Sequence, residues 1–480
     1  MCSARREEKS MTKIVNRLLN LCRKGVIILP ALQNFHPPPL CTFMCVRKWL
    51  YSTKMKSAVE DAARVMARSS LPYASIYPRQ YVAHRVPILP PSSSTSLPHN
   101  IGGVESTYSS TSLPPSSQTA VIIDGDITKP FWSSIPWSTD FVDIATSTTP
   151  QYTTRMKMQW DDNYLYVAAY LEEPHIWGTL EQHNSVIYQD NDFEIFVDTD
   201  GSNHNYKEFE INALGTTWTL LLNKPYDDGG VEDSKRVDPT TGYDMEPEIH
   251  SAVRIYPTND SINNPSLQNT HWTVEVALPI SKLILHNNIN AVIPDEGVYW
   301  RVNFSRVQWG FDIIDNKYVK RKCCQSCAIP GSEVEDNWVW APQGKVAMHL
   351  PERWGILQFT TKPPSSSDGV RGEEYYTEWP SRCAVMAIYY AMKAYHAKVG
   401  LYTTNIDSLR DYSTPPFVLL EGVHYNSDVG IVINLTSTGG YEASVTMSPY
   451  TATVNNERYL IVTKNITTEG GRLDNFAQQC

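Results

Sequence analysis

Several features that would assign this chain to a class of protein are missing from its 480 residues. No apolar run approaches the ~18 residues that a membrane-spanning helix requires, so an integral membrane protein is excluded. Cysteine is absent from Val46 to Lys322, so disulfides do not stabilise that part of the chain. The chain also contains no Gly-x-Ser-x-Gly elbow, P-loop or His-Glu-x-x-His sequence, and it therefore lacks these catalytic and nucleotide-binding motifs.

Acidic residues are scarce at the N-terminus and abundant afterwards. Residues 1–120 carry 15 Lys and Arg against 5 acidic residues, so the rest of the chain has a net charge of −20 within a total of −10. An acidic body lacks the clustered Lys and Arg that phosphate contacts need, which argues against nucleic acid as a partner. Eleven of the 13 Trp lie between Trp132 and Trp354, which indicates a Trp-rich core or aromatic faces presented to a ligand.

The basic N-terminal segment, residues 1–80, has three interpretations that the sequence leaves open. The amphipathic stretch from Met11 to Lys24 is typical of an organelle transit peptide, and Gly25 to Leu32 offers a short apolar run for a secretory signal. The third interpretation is a solvated, largely disordered tail or a mis-assigned start, with Met44 and Met55 as other possible starts. Residues 87–119, rich in Ser and Pro, show no hydrophobic period, so we predict a disordered insertion there and a second linker over residues 361–379.

Short strand-like runs separated by turn residues follow one another along the middle of the chain. The predicted strands are Val121–Ile123, which an Asp-Gly turn signal follows, Arg155–Trp160, Tyr164–Leu171, Asp192–Asp198, Lys207–Asn212, Trp218–Leu222, His271–Leu278 and Tyr299–Gln308. Only Ile280–Leu285 has the pattern of a helical turn. Many short strands without long helices predict a mainly-β protein built on an antiparallel β-sandwich.

Residues 380–480 predict a small α+β domain. Pro380 to Val399 has helical periodicity, and Gly400 ends the helix in the manner of a C′ glycine. The runs after it predict strands at Phe417–Leu420, Gly430–Leu435, Tyr441–Met447 and Tyr459–Lys464. The apolar stripe of the helix is most simply its packing face against that sheet.

Alternation in two neighbouring strands places polar side chains together. Asp192 and Glu194 point away from the apolar side of their strand, and Glu210 and Asn212 do the same in the next strand. If the strands pair, a row of carboxylates and an amide lines one sheet face, which suits sugar hydroxyls or a hard cation. The simpler interpretation is a solvent-exposed face that is polar because it is wet.

The loop after the first of these strands raises the question of calcium. It begins Asp198-Thr199-Asp200-Gly201, the Asp-x-Asp-Gly opening of many calcium loops, but it lacks the Glu at position 12 of an EF-hand. Asp198 and Asp200 are therefore candidate calcium ligands, and an ordinary hairpin loop is the alternative.

Three colinear runs resemble the family 9 carbohydrate-binding modules, and in particular their larger family 9-like relatives with a C-terminal extension. The runs are Trp160–Ala168, Leu171–Trp177 and Asp190–Asp198, and further matching blocks continue to Gly355. The resemblance implies a sandwich over residues 81–360 that binds plant-type polysaccharide or oligosaccharide, such as xylan or cellulose, and does no chemistry. It also implies structural calcium, export from the cell and an association with hydrolases in carbohydrate catabolism.

Carried over by position, the family's ligand-binding carboxylate falls on Glu194 and its strand amide on Asn212. The two Trp that clamp the sugar in the family fall near Tyr188 and near Met348 or His349, and neither position is Trp here. Tyr188 retains an aromatic face on which a sugar ring can stack. The candidate ligand-binding residues are Tyr188, Asp192, Glu194, Glu210, Asn212, Trp177 and His349, with Trp177 either an exposed platform or a core residue.

Other functions stay open at this point. Glu194 and Glu210 could form the carboxylate pair of a glycoside hydrolase, and a structural or protein-interaction sandwich would bind no saccharide. The cluster of Cys323, Cys324 and Cys327 has one ligand fewer than a zinc site needs, which favours a loop disulfide or free thiols. The resemblance favours an extracellular protein, whereas the N-terminus does not decide the compartment.

Overall fold

A computed structural model of the chain describes residues 72–87, 121–286, 293–324, 329, 331–364, 375–420 and 430–465. The predictions for residues 1–71, for the insertion at 88–119, for Cys327 and for residues 365–374 of the linker fall outside the described residues. The chain divides into two compact units, residues 1–75 and 76–480, and the second is described below.

Fifteen strands precede the C-terminal helix among the described residues. They are β1 Gln80–Arg85, β2 Val142–Asp143, β3 Thr154–Trp160, β4 Tyr164–Glu172, β5 Asp192–Asp198, β6 Tyr206–Asn212, β7 Thr217–Leu222, β8 Glu232–Asp233, β9 His250–Tyr256, β10 His271–Pro279, β11 Tyr299–Trp309, β12 Phe311–Ile314, β13 Lys317–Lys320, β14 Glu335–Val339 and β15 Gly355–Thr360. Two short helices accompany them, α1 Pro130–Ser133 and α2 Ile280–Leu283. No described helix combines the length and apolar character that crossing a membrane demands.

The strands form a 13-stranded sheet in the order β8-β7-β6-β5-β11-β15-β1-β3-β4-β10-β9, with β14 bridging β11 and β2, while β12 and β13 form a separate hairpin. Strand β1 runs parallel to both of its neighbours, β15 and β3, and the other pairs are antiparallel. The sheet curls so that Phe193, Ile195 and Phe209 of one half pack in one core with Met158 and Val276 of the other. The prediction of a mainly-β, sandwich-like fold is confirmed.

Two predicted strands are absent. Val121–Ile123 is irregular because the backbone N–H groups of Asp124 and Gly125 donate to the buried carboxylate of Glu275 instead of to a neighbouring strand. Phe417–Leu420 also has no ladder, and the Phe417 ring stacks on Tyr390 with the centroids 5.8 Å apart. In both segments local β propensity is overridden by tertiary contacts.

The C-terminal part consists of α3 Trp379–Val399, α4 Asp407–Arg410 and a four-stranded antiparallel sheet of β16 Val432–Leu435, β17 Tyr441–Met447, β18 Tyr450–Asn455 and β19 Leu460–Lys464. Val385, Ile388 and Met392 of α3 are buried, as the apolar stripe predicts. Gly400 ends the helix with a φ of 79°, a left-handed conformation that favours glycine.

Candidate functional site

The polar face lies where β5 and β6 pair. The register places Asp192 opposite Asn212, Glu194 opposite Glu210 and Phe196 opposite Glu208. Directly opposed residues point to the same side of a sheet, so four carboxylates and one amide share one face. We call Asp192, Glu194, Glu208 and Glu210 the carboxylate cluster.

The carboxylate cluster is buried, so the interpretation of a wet, exposed face is wrong. The exposed fractions of Asp192, Glu194, Glu208 and Glu210 are 0%, 4%, 4% and 1%. An apolar group packs on this side of the sheet. Its members include residues of β7, of the loop before β5, of the end of β14 and of the segment between β14 and β15: Trp218, Leu220, Leu222, Ile187, Val339, Met348 and Trp354. The carboxylates therefore lie under a second layer of side chains.

Burial decides the electrostatics of the cluster. Burial raises the pKa of Glu194 to about 7, and the Ser305 hydroxyl on the neighbouring strand partly opposes that shift. Burial, together with the charge of Glu194, raises the pKa of Asp192, Glu208 and Glu210 well above the usual range. Ionised carboxylates are costly in such a place unless a positive charge or hydrogen-bond donors compensate them.

Backbone donors satisfy only part of the cluster. The Tyr188 N–H donates to Glu210 Oε2 at 2.9 Å, and the Val307 N–H donates to Asp192 Oδ1 at 3.1 Å. Asp192 Oδ2 and Glu208 Oε2 have no hydrogen-bond partner among the described residues. The cluster is thus incompletely compensated.

Asn212 is occupied by contacts within the protein. Its Nδ2 donates to Leu180 O at 2.8 Å and to Asp190 Oδ2 at 3.0 Å, while its Oδ1 accepts from the N–H groups of Leu214 and Thr216. This amide therefore anchors the loop before β5, and the prediction that it binds a ligand gains no support from its contacts.

Tyr188 is the most exposed of the residues that the sequence predicts to bind a ligand. Its side chain is 41% exposed, whereas its backbone is held at both ends: the N–H on Glu210 and the carbonyl by the Trp309 indole N–H at 2.8 Å. A fixed backbone that presents an aromatic ring at the edge of a polar face is a suitable platform for a sugar ring.

A second exposed aromatic residue, Tyr226, was missed in the sequence. It is 45% exposed and meets the ring of His349 edge-on, with the centroids 4.5 Å apart. His349 itself is only partly buried by neighbouring rings, forms a hydrogen bond with Tyr206 Oη at 3.1 Å, and has its pKa lowered to about 4 by burial. His349 is therefore a neutral support for Tyr226, which occupies the region where the family resemblance places the second aromatic platform.

Arg236 interacts electrostatically with both tyrosines. Its positive charge opposes the burial that raises the pKa of both Tyr188 and Tyr226. The guanidinium lies 5.3 Å from the Trp218 ring centroid and pairs with Glu232. We call Tyr188, Tyr226 and Arg236 the rim. The sequence does not reveal this group, because the three residues lie in separate loops.

Trp177 is a core residue at this point of the fold. It is 4% exposed, stacks on Tyr318 with the centroids 6.3 Å apart and packs with Val307 and Trp309. Of the two interpretations that the sequence left open, the packing one fits these contacts.

The loop with Asp198 and Asp200 has the contacts of a hairpin loop. Both oxygens of Asp198 accept backbone N–H groups, from Gly201 and from Asn203, each at 2.9 Å. Asp200 accepts from Ser202 N–H at 3.0 Å. In the part of the chain that the structure describes, Asp192, Glu194 and Glu210 form the one group of three acidic, His or Cys side chains with ligand atoms close enough to share a metal ion.

The curled sheet and the buried carboxylate face belong to a mainly-β, sandwich-like domain. Residues 123–294 match the family model described as carbohydrate family 9 binding domain-like. The matched stretch is therefore similar to a family 9-like module, and carbohydrate binding is the general function that this match supports. No curated protein matches the chain closely enough to count as a relative.

Three solved structures align with the chain at low identity. A Bacteroides uniformis protein proposed to bind carbohydrate is 14% identical, covers 59% of this chain and 99% of its own, and has a TM-score of 0.36. A family 9 module from Caldicellulosiruptor kristjanssonii in complex with cellotriose is 16% identical, with 53% and 96% covered and a TM-score of 0.29. The same organism's module with glucose is 15% identical, with 52% and 95% covered and a TM-score of 0.29.

Proposed function

We propose that this domain binds a plant-type polysaccharide or oligosaccharide, such as xylan or cellulose, without catalysis, in support of carbohydrate breakdown. The observation that carries the proposal is the family match, which spans β5, β6 and both tyrosines of the rim. We further propose that the protein is extracellular, where such polymers are found.

The rim is the part of the site that a sugar can reach. Tyr188 and Tyr226 offer ring faces to the C–H groups of a pyranose, and Arg236 offers N–H donors to its hydroxyls. The carboxylate cluster lies beneath and acts indirectly, since Glu210 holds the backbone of Tyr188. Recognition by the rim replaces the direct contact with Glu194 and Asn212 that the resemblance suggests.

Hydrolysis by Glu194 and Glu210, the alternative reaction, gains no support from the site. A glycosidase needs both carboxyl groups in contact with the scissile bond, and these two residues are almost fully buried.

Affinity electrophoresis and calorimetry with soluble xylan, hydroxyethylcellulose and cello-oligosaccharides test the proposed function. We expect binding by the full chain, and Tyr188→Ala should weaken it about tenfold, which corresponds to the loss of one aromatic contact of about 1.4 kcal/mol. Tyr412→Ala is the matched control, because Tyr412 is a partly exposed tyrosine that packs on Tyr395 outside the rim.

Two outcomes would overturn the proposal. One is a folded protein that binds no saccharide on a glycan array, which would favour a structural or protein-interaction sandwich. The other is release of reducing sugar that disappears in Glu194→Gln, which would show an enzyme.

A further inference from the structure

The carboxylate cluster lacks the basic partner that three other buried acidic residues of this protein have. Glu173 pairs with Arg306 at 2.7 Å, Glu275 pairs with Lys129 at 2.7 Å, and Glu352 lies 3.4 Å from Arg458. Within the described ranges, no Lys, Arg or His forms an ion pair with Asp192, Glu194, Glu208 or Glu210. Four ionised carboxylates buried at one place would carry a large cost without a positive charge beside them.

Two oxygen atoms of the cluster point to a missing partner. Asp192 Oδ2 is completely buried and accepts no hydrogen bond, although Oδ1 of the same group is satisfied. Glu208 Oε2, on the same face and two residues from Glu210, is also buried and unpartnered. Buried polar atoms in native proteins nearly always have a partner, so such atoms mark a place for a proton, a water or an ion.

The geometry of three of the residues fits one cation. One oxygen each of Asp192, Glu194 and Glu210 lie within 4.8 Å of one another. Oxygen atoms that surround one Ca²⁺ at about 2.3–2.6 Å can be up to twice that distance apart, so a single ion can contact all three. We propose that Asp192, Glu194 and Glu210 bind a hard divalent cation of the calcium class.

Such a cation supplies the positive charge that the face lacks. It also locks the side chain of Glu210, which accepts the Tyr188 N–H, and it thereby stabilises the loop that carries this part of the rim. The site is distinct from the Asp198–Asp200 loop, where backbone N–H groups already occupy both oxygens of Asp198. Cation binding does not depend on the proposed carbohydrate binding, and it can be tested without any sugar.

Luminescence of Tb³⁺ added to the EDTA-treated full chain is the direct test. Trp218 lies opposite Glu210 on β7 and is buried on the same side, so excitation of this indole should sensitise a bound Tb³⁺. We expect saturable emission with one site per chain, displacement by Ca²⁺, and at least a tenfold loss of affinity in Asp192→Asn and in Glu194→Gln. Asp200→Asn, which changes an acid of the predicted calcium loop, is the control and should stay within twofold of wild type.

Native mass spectrometry of the wild-type chain avoids the risk that a core variant fails to fold. One bound Ca²⁺ that EDTA removes, with a melting temperature that rises again as Ca²⁺ is added back, supports the site. No metal on the folded chain together with no effect of Ca²⁺ on melting would overturn it, and so would equal loss of Tb³⁺ binding in Asp200→Asn. A chain that binds the cation but no sugar would refute the proposed function and leave the cation site standing.

Discussion

Arg306 and Glu173 form an ion pair buried beneath Trp338 and Tyr152. Arg306 Nη2 lies 2.7 Å from Glu173 Oε2, and the guanidinium also donates to Thr154 Oγ1 and to Glu172 O. The charge and hydrogen bonds of Arg306 oppose the burial that raises the pKa of Glu173. A charged side chain is thus tolerated in this core when an oppositely charged partner and hydrogen bonds compensate its charge.

Removing one partner of this pair should be far more costly than removing an exposed one. Arg306→Met leaves Glu173 buried without its positive charge and should lower the free energy of unfolding by about 3–5 kcal/mol in urea titrations. Arg321→Met, which breaks an ion pair with Asp312 that is about half exposed, should cost less than about 1 kcal/mol. Equal losses in the two variants would contradict this account of the core.

The loop between β4 and β5 is the element that positions Tyr188. Asp190 accepts the N–H groups of Thr179 and Leu180 at 2.7 and 2.9 Å, which closes the loop on itself. His183 Nε2 lies 3.1 Å from Asp244 Oδ2, which attaches the loop to the segment that follows β8. The platform therefore depends on contacts between segments about 60 residues apart, since His183 and Asp244 are separated by 61 positions.

The stability of this loop should depend on pH. The hydrogen bond to Asp244 raises the pKa of His183, and the charges of Asp244 and Glu246 act in the same direction. The protonated pair is fully present below the unfolded histidine pKa of about 6.5, and its contribution is lost as the pH rises through the higher folded value. Because the ring is partly exposed, we expect an effect of only about 0.5 kcal/mol.

His183→Gln tests this contribution by its pH profile. The melting temperature of the variant should fall below that of wild type at pH 5.5 and approach it at pH 9. His250→Gln, at an exposed position on β9, should show no such pH dependence relative to wild type. A deficit in His183→Gln that is the same at both pH values would mean that the imidazole acts by packing alone.

Across the whole molecule, Arg458 joins the C-terminal sheet to the sandwich. Its Nε lies 2.7 Å from Asp228 Oδ2 and its Nη1 lies 3.4 Å from Glu352 Oε2, while its guanidinium rests against the rings of Tyr389 and Tyr390. Residues from β18–β19, α3 and two sandwich loops thus meet around one buried cation. Residues 76–480 form one compact unit for this reason among others.

Arg458→Met should destabilise both parts together. Asp228 keeps its contact with Lys393, so we expect a loss of about 2–4 kcal/mol in the free energy of unfolding, less than for a pair left wholly uncompensated. Wild type should unfold in a single transition in calorimetry and in Trp fluorescence, and the variant should do the same at a lower temperature. Two separate transitions in wild type would show that the C-terminal part is only loosely docked.

Local pattern predicts much of this fold. The bounds of β5 and β17 follow from alternation without error, and α3 begins one residue earlier than predicted and ends at the predicted residue, since backbone periodicity depends on neighbours in sequence. The sequence did not predict strands β2, β8 and β9. These strands are defined by pairing with their neighbours and not by their own composition.

The candidate site divides in the same way. Alternation alone determined that Asp192 and Glu194 share one side of their strand and that Glu210 and Asn212 share one side of theirs, because side chains alternate along every strand. The structure showed that the two strands pair and that these sides form one face. Only the tertiary structure decided that this side is buried, that Asn212 is occupied and that Tyr226 lies beside His349 at the rim. Burial depends on what packs above a strand, and the covering side chains come from segments on both sides of it in sequence, such as Ile187 and Trp354.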